Sequence, residues 1–261
     1  MCGHNDSVFY KTLYGKYIML EDGQSRFRDI DNKRLDEILY YLPRAVATYL
    51  LDGEIKKVNI VDQGPSSMII EYKGMAYSPL ERENMEEKRN LEGKLTIEGG
   101  ILHLKIKKSR VKYKKAYNSE EEMNNNRLKR KEIGIYYLEE LGKRDRMLSY
   151  GILILEERAY LKGIDIRRVD IYYNISTGEY KIRICGKIVN PKSEDDIFKM
   201  ENCIYLKNEK TKNGIKLYIS SHSKDYPIKL RGNEDYLIDE RLLSRILKSR
   251  YGLSEYKKEN K

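Results

Sequence analysis

Short runs with apolar side chains at alternate positions, some of them joined by short turns, recur along the second half of the chain: "GIDIRRVDIYYN", "GEYKIRICGKIVN", "NCIYLKN" and "GIKLYISS". Such patterning sends one set of side chains into a core and the other into water, and connections this short join antiparallel neighbours. Ser176-Thr177-Gly178 and Asn213-Gly214 supply the turn residues. Earlier, "KLTIEGGILHLKIKK" reads as two more strands joined through Gly99-Gly100, and strands are expected near 55 to 61 and 67 to 73. "YGILILEE" is also read as a strand, and a short helix near "SEDDIFKMEN" interrupts the later series.

Helical spacing is clearest in "DNKRLDEILYYLPRAVATYLLDG", where Leu35, Ile38, Leu39, Leu42, Val46 and Leu50 share one face. Asp31 can cap its start, Gly53 can end it, and Pro43 is expected to kink it. "SPLERENMEEKRNLEG" reads as a charged surface helix opened by Ser78, Pro79 and Glu81, and Ser119 to Glu122 opens another with a capping box. "DERLLSRILKSRYG" closes the chain as an amphipathic helix with Leu242, Leu243, Ile246 and Leu247 on one side and Arg241, Arg245, Lys248 and Arg250 on the other. The expected class is α+β: an antiparallel-rich sheet with packed helices and a hairpin-dominated C-terminal half. Residues 1–148 would form an α+β N-terminal region and 149–261 a hairpin-rich region closing with a helix. No Gly/Ser-rich linker separates them, so a single domain is equally compatible.

Across 261 residues the formal net charge is +10, and most of it lies between Lys105 and Lys131, which hold 11 basic and 3 acidic residues. In "HLKIKKSRVKYKKAY", Leu104, Ile106 and Tyr113 fit the core side while Lys105, Lys107, Lys112 and Lys114 fit the solvent side. Clustered cations of this kind neutralise phosphates, and neighbouring tyrosines can stack on bases. The candidate nucleic-acid contacts are Lys105, Lys107, Lys108, Arg110, Lys112, Tyr113, Lys114, Lys115 and Tyr117, followed by Arg127, Lys129, Arg130 and Lys131. The same lysines would also suit a charged sheet edge that resists aggregation.

"VNIVDQGPSSMIIEYKG" ends an apolar strand on Glu71-x-Lys73 followed by Gly74. It resembles the core of the PD-(D/E)XK nuclease superfamily, especially its RecB-like branch. That resemblance implies Mg²⁺ held by Glu71 and an aspartate on the preceding strand, with Lys73 orienting the attacking water. Asp62 is the available aspartate, yet a turn centred on Gly64-Pro65 pairs Glu71 with Val58 or Asn59 and carries Asp62 several positions away. After Gly53, where the RecB-like pattern puts its aspartate, the chain has Ile55, Lys56 and Lys57. "DIYYNISTGEYK" repeats the Asp-to-Glu-Tyr-Lys spacing with its glutamate at a strand start. The opening Met-Cys-Gly is similar to that of class II glutamine amidotransferases and of the SRAP family, which would make Cys2 a nucleophile once the initiator is removed.

No P-loop, G-x-G-x-x-G, G-x-S-x-G or H-E-x-x-H pattern occurs. With three histidines, three cysteines and no C-x-x-C, a zinc site would need residues from distant strands, and no metal or other cofactor is expected outside the nuclease alternative. Cys2, Cys185 and Cys203 are expected to be reduced, and neither a signal peptide nor a long apolar stretch is visible, so the chain reads as cytoplasmic with no membrane partner. Tyr is abundant at 23 residues against 3 Phe and no Trp, which suits half-buried sheets or an AT-rich genome, while the charge-rich composition also fits a thermophile. The sequence favours a non-catalytic nucleic-acid-binding protein of low sequence specificity. Its alternatives are a structural or interaction protein of a virus or mobile element and a Mg-dependent nuclease built on Glu71, Lys73 and Asp62.

Overall fold

Asn32–Ala45 forms α1, and the six expected apolar positions, four in α1 and two (Val46 and Leu50) in the turn that follows it, are all buried. The computed structural model describes residues 8–11, 17–20, 32–63, 67–80, 85–115, 117–188, 202–221 and 226–228. Val8–Lys11 (β1) and Tyr17–Leu20 (β2) pair as a small antiparallel hairpin. Pro43 does not break α1; the helix widens instead into a π-helical turn over Val46–Leu50. Proline has no N–H to offer the carbonyl four residues back. That carbonyl belongs to Leu39, and the buried Tyr72 hydroxyl points to it at 3.5 Å. Downstream, the Thr48 hydroxyl donates to the Arg44 carbonyl at 2.8 Å. The chain reverses at Asp52, whose φ of 48° is left-handed, and not at Gly53 as expected. Gly53 serves close packing: a Cβ there would meet Leu91 Cδ1 at 2.7 Å and the Met75 carbonyl at 2.9 Å.

Nine strands then build one antiparallel sheet. Gly53–Gln63 (β3), Ser67–Leu80 (β4), Met85–Glu98 (β5) and Ile101–Lys115 (β6) precede two helices, Glu120–Arg144 (α2) and Arg146–Leu161 (α3). Ile164–Asn174 (β7), Tyr180–Ile188 (β8), Asn202–Thr211 (β9), Gly214–Ser220 (β10) and Tyr226–Ile228 (β11) follow. Strand order in the sheet is the order in the chain, from β3 at one end to β11 at the other. Residue 148, the expected boundary, falls inside α3, and β6 pairs directly with β7 across it.

Two expected elements change type. Of the stretch read as a charged helix at 78–93, residues 78–80 end β4 and 85–93 open β5, paired as Ser78↔Glu87 and Pro79↔Glu86. "YGILILEE" lies in α3, whose residues Gly151 to Glu156 are all buried. A continuous apolar run has neither period, so its flanks decide, and the Asp145 carboxylate accepts from the Leu148 amide at 2.8 Å to start a helix. Gly151 lets α3 approach the sheet, since a Cβ would sit 2.7 Å from the Tyr180 hydroxyl. The Ser119 cap is present, accepting from the Glu122 amide at 3.1 Å. Asp31, Gly64-Pro65, Glu81, the segment "SEDDIFKM" and the closing basic helix lie outside the described residues, as do Cys2, His4 and His222.

Candidate nucleic-acid interface

One side of the sheet is apolar and carries the helices: Leu91, Leu95 and Ile97 of β5, Leu102, Leu104 and Ile106 of β6, and Val169 and Ile171 of β7 are buried there. Alternation sends the intervening residues to the opposite face. Register then sets cations of neighbouring strands directly opposite one another at Lys57↔Lys73, Lys94↔Lys105, Lys107↔Arg168 and Lys181↔Lys207. Like charges in opposed cross-strand positions destabilise a sheet. Carboxylates offset part of that cost: Lys107 lies 3.5 Å from Glu92, and Asp170 accepts from Arg183 at 2.9 Å through Nε. Lys94 and Lys105 have no ion-pair partner among the described residues.

An open groove of about 400 Å³ runs over this face between β4 and β7. Five cations line it (Lys73, Lys94, Lys105, Lys107 and Arg168) against three carboxylates (Glu71, Glu92 and Asp170). Beside it on β6, His103 stacks on Tyr172 of β7 with ring centroids 3.8 Å apart and planes 15° apart. Burial, reinforced by the Lys105 charge, lowers the His103 pKa and keeps the ring neutral at pH 7.

The expected contact residues divide into two groups. Lys105, Lys107, Arg110, Lys115 and Lys129 are exposed. The others whose side chains are described turn inward: Lys108 falls on the core side of β6, and the basic residues Arg130 and Lys131 of α2 answer buried carboxylates. Lys108 is buried, 2.6 Å from Asp165, which Arg89 also meets at 2.7 Å. Tyr117 donates to Glu86 at 2.6 Å, and Arg130 reaches the same carboxylate at 2.9 Å. Lys131 is buried, donating to the Tyr49 carbonyl at 2.6 Å with Asp52 at 3.4 Å. Arg127 is partly buried. Phosphates cannot reach a lysine enclosed in this way, so Lys108, Tyr117 and Lys131 belong to the interior. The side chains of Lys112, Tyr113 and Lys114 lie outside the described residues. Lys94, Arg168 and Tyr172 were missed and Lys73 was singled out only for the nuclease alternative; their signal was the same alternation read in β6, continued into strands with less lysine.

Glu71 pairs with Asn59 and Lys73 with Lys57, while Asp62 lies opposite Ile69. The two carboxylates are therefore out of register, as the turn position predicts. Among the described residues, no group of three or more His, Cys, Asp or Glu is arranged to hold a metal. The cysteine expectation is corrected: Cys185 and Cys203, opposite each other on β8 and β9 with Cα atoms 4.1 Å apart, form a disulfide. Their separation in sequence hid a pairing that strand register creates. No described helix is long and apolar enough to cross a membrane. Comparison with family models, curated proteins and solved structures gave no match.

Proposed function

We propose that the chain is a non-catalytic nucleic-acid-binding protein that takes the phosphate backbone on the helix-free face of its sheet. The observation that carries this reading is the set of four like-charge cross-strand pairs, all on that face. Each sets two cations side by side, although Lys73, Lys94 and Lys105 also stand opposite Glu92, Glu71 and Asp170 on their other neighbours, and a polyanion laid across the face exchanges its condensed counterions for these cations. Lysines on strands hold a backbone without reading base edges, so sequence preference is low. Glu71, Glu92 and Asp170, interspersed with the cations, keep the groove from becoming a uniform basic patch.

Fluorescence anisotropy with labelled duplex at several salt concentrations tests the reading. If the five groove cations each meet a phosphate, log affinity falls with log salt at a slope of roughly −4 to −5. Replacing Lys94 and Lys105 together by glutamine is expected to weaken binding and reduce the slope by about 2. Unchanged affinity and slope in that double variant would remove the face as the contact surface. Duplex cleavage that requires Mg²⁺ and is lost in Glu71→Gln would instead favour the nuclease alternative.

A further inference from the structure

The same face is not only charged. Tyr172 and Tyr205 are large exposed rings at 47% and 40% relative accessibility, and both stand among the cations. Tyr172 lies opposite His103 on one side and Lys181 on the other, and Tyr205 lies opposite Arg183. A second open groove of about 560 Å³ begins at Tyr172 and includes Ile101, Lys181 and Lys207. Next along that row, the Lys207 ammonium stands 4.9 Å from the Tyr218 ring centroid.

We infer that the preferred ligand of this face is a single strand, whose bases stack on Tyr172 and Tyr205 while its phosphates run over the neighbouring lysines and arginines. The inference rests on the nucleic-acid reading above and narrows it. His103 and Tyr172 already form a two-ring stack, and on its other side Tyr172 lies opposite the exposed Lys181. A base entering on that side extends the stack and needs no rearrangement of the backbone. Because His103 is held neutral, it backs Tyr172 as an aromatic ring and not as a cation. A base stacked between its neighbours inside a duplex has no free face to offer, so the body of a duplex can use the lysines but not the rings. Aromatic stacking tolerates any base, which agrees with a surface that lacks a base-reading set of side chains.

Labelled oligothymidine, oligouridine and a hairpin duplex, compared by anisotropy at one salt concentration, separate the possibilities. The parent is expected to bind both single strands more tightly than the duplex. Tyr172→Ala is expected to lower single-strand affinity by roughly 5- to 150-fold, the effect of losing one stacked base, and to leave duplex affinity unchanged. Tyr172→Phe keeps the ring and should keep the affinity, and Tyr205→Ala provides a second half-exposed position whose loss leaves the core intact. Equal affinity for single strand and duplex, or parental single-strand binding by both alanine variants, overturns the stacking and leaves the charge reading standing. A parent that binds neither form at low salt overturns both.

Discussion

Asp165 shows how single residues decide what this surface can do. Its carboxylate holds both Lys108 and Arg89, and Arg89 also meets Glu87 at 2.6 Å, so cations that the sequence counts as basic surface are spent inside. Removing one partner of a buried ion pair leaves the other charge without compensation. Asp165→Asn is therefore expected to cost on the order of 3–5 kcal/mol in urea unfolding. Burial alone would raise the Asp165 pKa, but the Lys108 and Arg89 charges outweigh it and the value is lowered. A depressed folded pKa means that the stabilisation is complete above the unfolded value and is lost as pH falls through the folded one. The loss should set in as pH drops below the ordinary aspartate value of 3.8. Melting temperatures measured against pH should fall on that acid limb in the parent and fall less steeply in Asp165→Asn.

Among the elements, α1 is the one whose irregularity has a visible compensation. Pro43 deprives the Leu39 carbonyl of its helical donor, and Tyr72 of β4 comes within 3.5 Å of it from the sheet. The hydroxyl should therefore matter only while the proline is there. At 3.5 Å the contact is a long one, so Tyr72→Phe is expected to cost about 0.5 kcal/mol in the parent, the low end for one hydrogen bond, and close to nothing in a Pro43→Ala background where the helix supplies its own donor. A double-mutant cycle on unfolding free energy measures the difference, and equal costs in both backgrounds would contradict the coupling. α1 and the turn after it were legible because six apolar positions repeat at helical spacing, and the β5–β6 hairpin because Gly99-Gly100 can supply the positive φ values that the turn adopts. The start of β5 was not legible. Glu86, Glu87 and Arg89 look like a solvated helix until partners far along the chain, Arg130 and Asp165, neutralise them. α3 was misread because its buried run lacks any polar face. In the candidate interface, Lys105 and Lys107 followed from alternation, whereas Lys108 was counted with them for its charge although its position matches Leu104 and Ile106.

At the scale of the whole molecule, the Cys185–Cys203 bridge joins two neighbouring strands across a sequence separation of 18. A loop of this size is worth roughly 3 kcal/mol when it is closed in the unfolded chain. Reductant is expected to lower the urea midpoint accordingly, and thiol titration in denaturant should find one reactive cysteine, Cys2, before reduction and three after it. Three thiols in the unreduced protein, or a midpoint indifferent to reductant, would show that the bridge does not form. The sheet's order has a consequence of another kind. Because every strand lies beside its neighbour in the chain, most pairings close over short distances, and only β6 and β7 are held apart in sequence by both long helices. Folding speed is governed by how far along the chain contacts must reach. Two ribbons, β3 to β6 and β7 to β11, can zip by local steps, and the slow event is the meeting of β6 with β7. That seam passes through Lys105↔Asp170 and His103↔Tyr172, so the aromatic stack and part of the charged groove come into being only when the two ribbons join.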